Sequence, residues 1–234
     1  MKKPKVLVIM PAYNAARFLH ESIPSILNQK DVEVTLYVVD DASTDETYKI
    51  ASNFENVKVT RNKINKGNYY SVNLMMYVLK NLKQEWDYYV YHGADDVSDP
   101  YRFIKQIKLF NSPTVLAVGC GFKRVDFRTK RVISVNNKTN ESMLMFKKEI
   151  FDVVGYRDSE RAGCDTEYKR RIQLAKPGCI SSLNEVLLTA YSHDSNLTKR
   201  IPIGGTHRRR YVERFTAKHK KMKNSNNFYQ DFKP

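Results

Sequence analysis

The chain has 234 residues, 41% of them hydrophobic, enough for one large domain or two small ones with a substantial core. Its 40 Lys and Arg against 25 Asp and Glu give a formal charge of +15, and its three cysteines, Cys120, Cys164 and Cys179, lie too far apart for a disulfide framework or a zinc cluster. VLVIM behind Lys2, Lys3 and Lys5 is too short for a signal-peptide core, and no segment approaches the roughly 20 apolar residues of a membrane span; a cytoplasmic protein in a reducing compartment is expected.

KVLVIM predicts a buried first strand, followed by a helix over NAARFLHESIPSILNQ with Asn14 as its cap, an irregularity at Pro24 and Phe18, Leu19, Ile23, Ile26 and Leu27 on one face. VTLYVVD is the second strand. The next helix, STDETYKIASNF, is expected to open with a capping box of Ser43 and Glu46. NVKVTRN is a short third strand, and a helix from about Tyr70 to Leu82 leads to a fourth, DYYVYH. Asp99-Pro100 caps the helix PYRFIKQIKLF. Alternating strands and helices predict an α/β layered fold, a mainly parallel central sheet flanked by helices.

Beyond residue 110 the pattern is less regular. PTVLAVGCGFKRVDF and RVISVN read as a hairpin, KKEIFDVVG as a helix stopped by Gly155, DTEYKRRIQLAK as a helix closed by Pro177-Gly178, and SLNEVLLTAYSHD as a last strand. From Lys199 onward eleven Lys or Arg face two acids, Glu213 and Asp231, making a basic C-terminal tail that attracts phosphate on nucleotides, nucleic acid or anionic lipid.

In an open parallel sheet, ligands bind outside the carboxyl ends of the strands. PAYN, DDAS and HGADD follow strands one, two and four, so Tyr13, Asp40, Asp41, Asp95 and Asp96 are expected at one edge. Neither GxGxxG after strand one nor GxxxxGK[ST] occurs, so a diphosphate held here needs another source of positive charge. Adjacent carboxylates supply it by binding Mg²⁺ or Mn²⁺, which favour hard oxygen ligands.

Seven segments, VLVIMPAYNAARFLHESIPSILNQ, VVDDASTDET, NKGNYYSVN, HGADDVSDPYRF, MLMFKKEIFDVVGYRD, GCDTEYKRRI and AYSHDSNLT, occur in the order found in family 2 glycosyltransferases, which the chain resembles over about residues 3–198. The resemblance implies a GT-A type fold in one domain, 1–198, with a nucleotide-binding half (1–110) and an acceptor half (111–198), followed by the basic extension 199–234. It implies inverting, metal-assisted transfer of a sugar from a nucleoside diphosphate sugar, UDP first, to a hydroxyl of a glycan or lipid-linked saccharide.

The same resemblance assigns Tyr13, flanked by Pro11 and Ala12, to stack on the base, Asp41 to accept a base N–H, and Lys66 and Gly67 to lie beside the donor. It places Asp96 on the metal and Asp95 on ribose and metal. Gly93 stands where many relatives carry a first acid. His193 is expected as a further metal or diphosphate ligand. Asp165, in a position where the family carries its base, is expected to deprotonate the acceptor, with Glu167 as fallback and Cys164 in place of the usual Glu.

A metal-dependent nucleotidyltransferase of similar fold is an alternative, against which stands the lack of a Gly-rich loop near the start. A nucleic-acid-binding protein acting through HRRRYVERFTAKHKKMK is another; no recognition motif supports it, and no nucleic-acid partner is expected. The tail, with Tyr211, Val212, Phe215 and Met222 among its cations, also reads as a peripheral contact for an anionic membrane.

Overall fold

In the computed structural model, which describes residues 2–83, 85–137, 143–202 and 204–234, the apolar run after Lys5 forms β1 (Lys5–Ala12), buried from Val6 onward. A strand apolar on both faces belongs in the middle of a sheet. β1 lies between β2 (Glu33–Asp40) and β4 (Tyr88–Tyr91), parallel to both, and β3 (Val57–Arg61) pairs in parallel with β2. Alternate β1 residues serve opposite layers. Val6, Val8 and Met10 pack with Phe18, Leu19, Ile23 and Ile26 of α1 (Ala16–Leu27), while Leu7 and Ile9 pack with Val72, Met75, Met76 and Leu79 of α3 (Asn68–Asn81).

The rest of the sheet is mixed. The short strand β8 (Met145–Lys147), which the sequence pattern did not announce, runs antiparallel to β4 and joins it to β6 (Ala117–Asp126). β6 pairs in parallel with β9 (Ile180–Ser192), β9 carries β5 (Asp96–Ser98) on its other edge, and β7 (Val132–Asn136) forms the expected hairpin with β6. The order among described strands is β3-β2-β1-β4-β8-β6-β9-β5, with β7 off this path. α4 (Arg102–Ile107) begins after Asp99, whose carboxylate accepts the Tyr101 N–H at 2.9 Å.

Two expected caps are replaced by contacts between loops. Asn14 has φ +50°, and α1 starts at Ala16 with Ala15 in the cap position; the Asn14 side chain instead accepts the Thr44 N–H at 2.9 Å. Ser43 forms no capping box with Glu46, because its hydroxyl accepts the Asn14 N–H at 2.9 Å. α2 (Thr47–Ser52) begins four residues later, where Asp45 accepts the Thr47 N–H at 3.0 Å. Side chains committed to joining the first two loops are no longer available to the helices. α1 runs through Pro24.

Chain after residue 198 adds to the core. α7 (Leu197–Arg200) leads to α8 (Thr206–Ser225), which lies against α6 (Cys164–Ala175). Tyr211, Phe215 and His219, spaced four apart, are buried, and Phe228 and Phe232 enter the main cluster. Tyr211, Phe215 and Met222, expected on a membrane-facing surface, are turned inward, leaving Val212 exposed. α5 (Ile150–Val154) ends at Gly155, φ +64°, where a side chain would strike the Gln230 carbonyl. The three cysteines are unpaired and buried, and no helix among the described residues is long and apolar enough to cross a membrane.

Candidate active site

β1, β2 and β4 are in parallel register, so they deliver their following loops to one edge. Pro11, Tyr13, Asp41, Gly93, Ala94 and Asp95 line a cleft there of about 260 Å³. Asn65, Gly67, Asn68 and Tyr91 also contribute, with Arg161 and the segment His193, Ser195, Asn196, Leu197 and Arg200.

At one end, Tyr13 is 44% exposed, a large ring held in the open. Asp41 is buried and accepts four hydrogen bonds: Asn62 Nδ2 at 2.8 Å, Lys66 N at 3.0 Å and Ser71 Oγ at 3.2 Å on Oδ1, and Gly67 N at 2.7 Å on Oδ2. It fixes the loop into α3 and keeps spare acceptor capacity on Oδ2. Lys66 reaches Asp41 through its backbone; its ammonium lies over the Tyr70 ring at 4.8 Å, and its side chain is not brought to the cleft. Ala12 is buried behind the cleft, its carbonyl accepting the Asp41 N–H at 2.8 Å. Asp40 is also buried, paired with Arg61 at 3.0 Å.

At the other end, an ideal Cβ on Gly93 would stand 2.7 Å from Asp96 Oδ2 and 3.0 Å from Asp95 Oδ1. Two carboxylate oxygens therefore converge above a glycine. Burial, then the Asp95 charge, push the Asp96 carboxyl well above the ordinary range, against the opposing pull of Arg102 and Arg124. Beneath this pair His92, brought down to about 3 by burial and by Arg102, is neutral, and its Nε2–H donates to the Asp96 carbonyl at 3.2 Å. Arg102, fully buried, holds Ser98 Oγ at 3.0 Å and Gln106 Oε1 at 3.1 Å.

Among the described residues no three His, Cys, Asp or Glu side chains surround a common point that could hold a metal. Two convergent oxygens on a strained acid pair fit a hard cation that takes its other ligands from phosphate and water. His193, expected as a metal or diphosphate ligand, lines the cleft; its Nε2 donates to Asp95 Oδ2 at 2.9 Å, while Nδ1 faces Ser195 Oγ at 2.8 Å. Asn196 adds a second donor to the same Asp95 oxygen at 3.0 Å.

Asp165 lies in the first turn of α6, half-buried and outside the residues that line the cleft. Gly163, φ +89°, occupies the cap position. The Tyr69 hydroxyl donates to Asp165 Oδ1 at 3.0 Å, and Tyr69 stacks 6.2 Å from Tyr91 of the cleft wall. Burial and the Asp165 charge raise the Tyr69 phenol, keeping it a donor. Glu167, the fallback candidate for the base, is wholly buried and bound by Arg171 and His219, each at 2.8 Å, and by Lys218 at 3.1 Å. Burial alone would raise its carboxyl, but these partners hold it down at about 2.

Asn68, Tyr91, Arg161, Asn196 and Arg200 line the cleft without having been singled out in the sequence. Asn196 falls within the AYSHDSNLT segment; Arg161, which lies 3.4 Å from a Cβ placed on Gly67 and donates to the Asn65 carbonyl at 3.0 Å, carried no local signal.

The chain is 40% identical over 109 residues to EpsE of Bacillus subtilis, provisionally named a glycosyltransferase, a match covering 44% of this chain and 37% of EpsE. It is 25% identical over 234 residues to an uncharacterized glycosyltransferase of Haemophilus influenzae, covering 83% of this chain and 71% of that one. Its fold is similar to that of S. aureus TarS 1-349 in complex with UDP-GlcNAc (TM-score 0.67, 19% identity, 82% of this chain and 60% of that chain). It is also similar to the mannosyltransferase PcManGT of Pyrobaculum calidifontis in complex with GDP-Man and Mn2+ (TM-score 0.58, 19% identity, 78% and 57%). The chain thus spans little more than a third of EpsE and three fifths of the TarS chain. Residues 7–172 match the family described as Glycosyl transferase family 2, and with more than half its length inside that match the chain belongs to this family.

Proposed function

We propose that the protein is an inverting glycosyltransferase that takes a sugar from a nucleoside diphosphate sugar, UDP first among the nucleotides, to a hydroxyl of a glycan or lipid-linked saccharide. The observation that carries this reading is the polarity of the cleft: an open aromatic ring and a fixed carboxylate, Tyr13 and Asp41, on one side, and on the other Asp95, whose carboxylate converges with that of Asp96 above Gly93 just outside the lining. A nucleoside diphosphate has the matching polarity, and the known structures of similar fold include complexes with UDP-GlcNAc and GDP-Man.

In this reading the base stacks on Tyr13, between Pro11 and the loop held by Asp41 and Gly67, and Asp41 Oδ2 accepts a base N–H. Asp95 and Asp96 hold Mn²⁺ or Mg²⁺, which when bound neutralises the departing diphosphate. His193 and Asn196 aim Asp95 by donating to its Oδ2. Tyr69 holds Asp165 through Oδ1, leaving Oδ2 to take the proton of the acceptor hydroxyl as that oxygen attacks the anomeric carbon. A single displacement of this kind inverts the anomeric centre. The first half, 1–110, holds most of the donor site and 111–198 supplies the base; the exposed cations of α8 (Arg209, Arg210, Lys220, Lys221 and Lys223) offer an electrostatic contact for the anionic surface where lipid-linked acceptors reside.

Incubation with UDP-sugars and Mn²⁺ tests the reading. Release of UDP is expected; release of pyrophosphate would instead indicate a nucleotidyltransferase. Salt-sensitive binding of oligonucleotides without any nucleotide-sugar turnover would favour a nucleic-acid-binding protein.

A further inference from the structure

Asp165 stands in the first turn of α6, where Gly163 holds the cap position at φ +89° and no side chain caps the helix. A first turn without a side-chain cap frays unless tertiary contacts hold it. Those contacts come from the basic C-terminal helix.

Tyr211 of α8 is buried, and its ring stands 3.4 Å from where a Cβ on Gly163 would lie. It forms one buried cluster with Phe215, with Cys164, the residue before Asp165, and with Tyr69, whose hydroxyl donates to Asp165 Oδ1 at 3.0 Å. The chain segment that carries Asp165 and the side chain that grips it thus share Tyr211 as a packing partner. The loop ahead of α6 is fixed from the same helix. Asp158 accepts the Tyr211 hydroxyl at 2.7 Å and Lys218 Nζ at 2.6 Å, and Glu160 accepts Arg214 at 2.6 Å. That loop carries Arg161 of the cleft lining.

We propose that Tyr211 is a positioning residue for transfer: by packing with Gly163, Cys164 and Tyr69 it fixes the direction of the Asp165 carboxylate, so that α8 serves the chemical step and not donor binding. This rests on the reading of Asp165 as the base. A base has to meet its hydroxyl at hydrogen-bond distance, and a displacement of about 1 Å can cost roughly a hundredfold in rate. Tyr13, Asp41 and Asp95 stand on the loops after β1, β2 and β4, which are held by contacts of their own.

The test compares the full chain as wild type, Tyr211→Ala, Tyr211→Phe, Asp165→Asn and Phe232→Leu, the last a substitution in the main core cluster among Tyr70, Tyr77 and Tyr156. Release of UDP from UDP-GlcNAc, UDP-glucose and UDP-galactose in Mn²⁺ is followed with water as acceptor. The water oxygen bonds to the anomeric carbon, its proton passes to Asp165, and the electron pair of the broken C–O bond leaves with UDP. Calorimetry reads UDP affinity, and hydrogen exchange reads the amides of residues 163–168. Tyr211→Ala should lower kcat about tenfold to a hundredfold and speed exchange at 163–168, with KM for the donor and UDP affinity within about twofold of wild type. Tyr211→Phe, which keeps the ring, should retain most of kcat. Tyr211→Leu takes the place of Tyr211→Ala if that variant does not fold. An undiminished kcat in Tyr211→Ala, or an equal loss of kcat in Phe232→Leu, overturns the role of Tyr211 and leaves the donor and base readings standing. Full UDP release by Asp165→Asn overturns the base and this inference with it. Failure of the wild type to release UDP from any of the three donors overturns the reading of the cleft as a UDP-sugar site, and this inference falls with it.

Discussion

His193 and Asp95, 98 residues apart in the chain, meet through a 2.9 Å hydrogen bond from Nε2 to Oδ2. The bond ties the segment after β9 to the loop after β4, next to the pairing of Asp96 with Ala190 in the β5–β9 ladder. His193→Ala removes one of two donors that aim Asp95. A hydrogen bond to a charged group contributes about 1.5–3 kcal/mol, so Mn²⁺-dependent UDP affinity should fall roughly tenfold to a hundredfold. Titration of UDP with and without Mn²⁺ checks this; unchanged affinity would place His193 outside the site.

Asp165→Asn keeps the hydrogen-bond acceptor for Tyr69 and removes the carboxylate proposed as the base. Donor binding should be preserved while transfer falls by about 10²–10⁴, the usual contribution of a general base. Tyr69→Phe, which only releases the carboxylate, should have a smaller effect. Normal turnover in Asp165→Asn would move the base elsewhere.

Tyr13 is exposed, so Tyr13→Ala should change stability by no more than about 0.5 kcal/mol. Loss of a stacking platform costs about 1–3 kcal/mol per base, and UDP binding should weaken by that amount. Parallel melting and titration experiments separate the two effects, and an unweakened complex would remove Tyr13 from the base site.

Glu167 joins α6 to α8, and its carboxyl is held at about 2 against an ordinary 4.5. A carboxylate with a depressed folded pKa stabilises the fold above its unfolded pKa, and that contribution is lost as pH falls through 4.5 towards 2. Denaturant midpoints should decline over this window. Glu167→Gln should flatten the decline and cost about 3–5 kcal/mol at pH 7, because Arg171 stays buried without its charged partner. A variant as stable as its parent at pH 7 would contradict the structural role of Glu167.

The sequence made the site's location legible because strand ends are marked by abrupt changes from apolar to acidic residues, as at Val39-Asp40-Asp41 and Tyr91 to Asp96. It was less informative where one side chain had two uses. Asn14 and Ser43 carry the chemistry of helix caps, yet they bind each other's loops, a choice set by tertiary contact. The tail's charge hid a stripe of Tyr211, Phe215, His219 and Met222 that follows helical spacing and is buried or packed against the core. Glu167 follows Asp165 by two residues on α6, and only the positions of His219 and Lys218 on α8 show which of the two acids is sequestered.

Melting temperature measured with UDP, GDP, dTDP and CDP, each with and without Mn²⁺, for the wild type and Asp96→Asn, tests the donor site most directly. A ligand at one hundred times its dissociation constant adds about 2.7 kcal/mol, a rise of roughly 5–11 °C for a domain of this size. The expected result is a metal-dependent rise with UDP that Asp96→Asn abolishes. No rise with any of the four nucleotides would contradict the assignment of the Asp95–Asp96 cleft as a nucleoside diphosphate site.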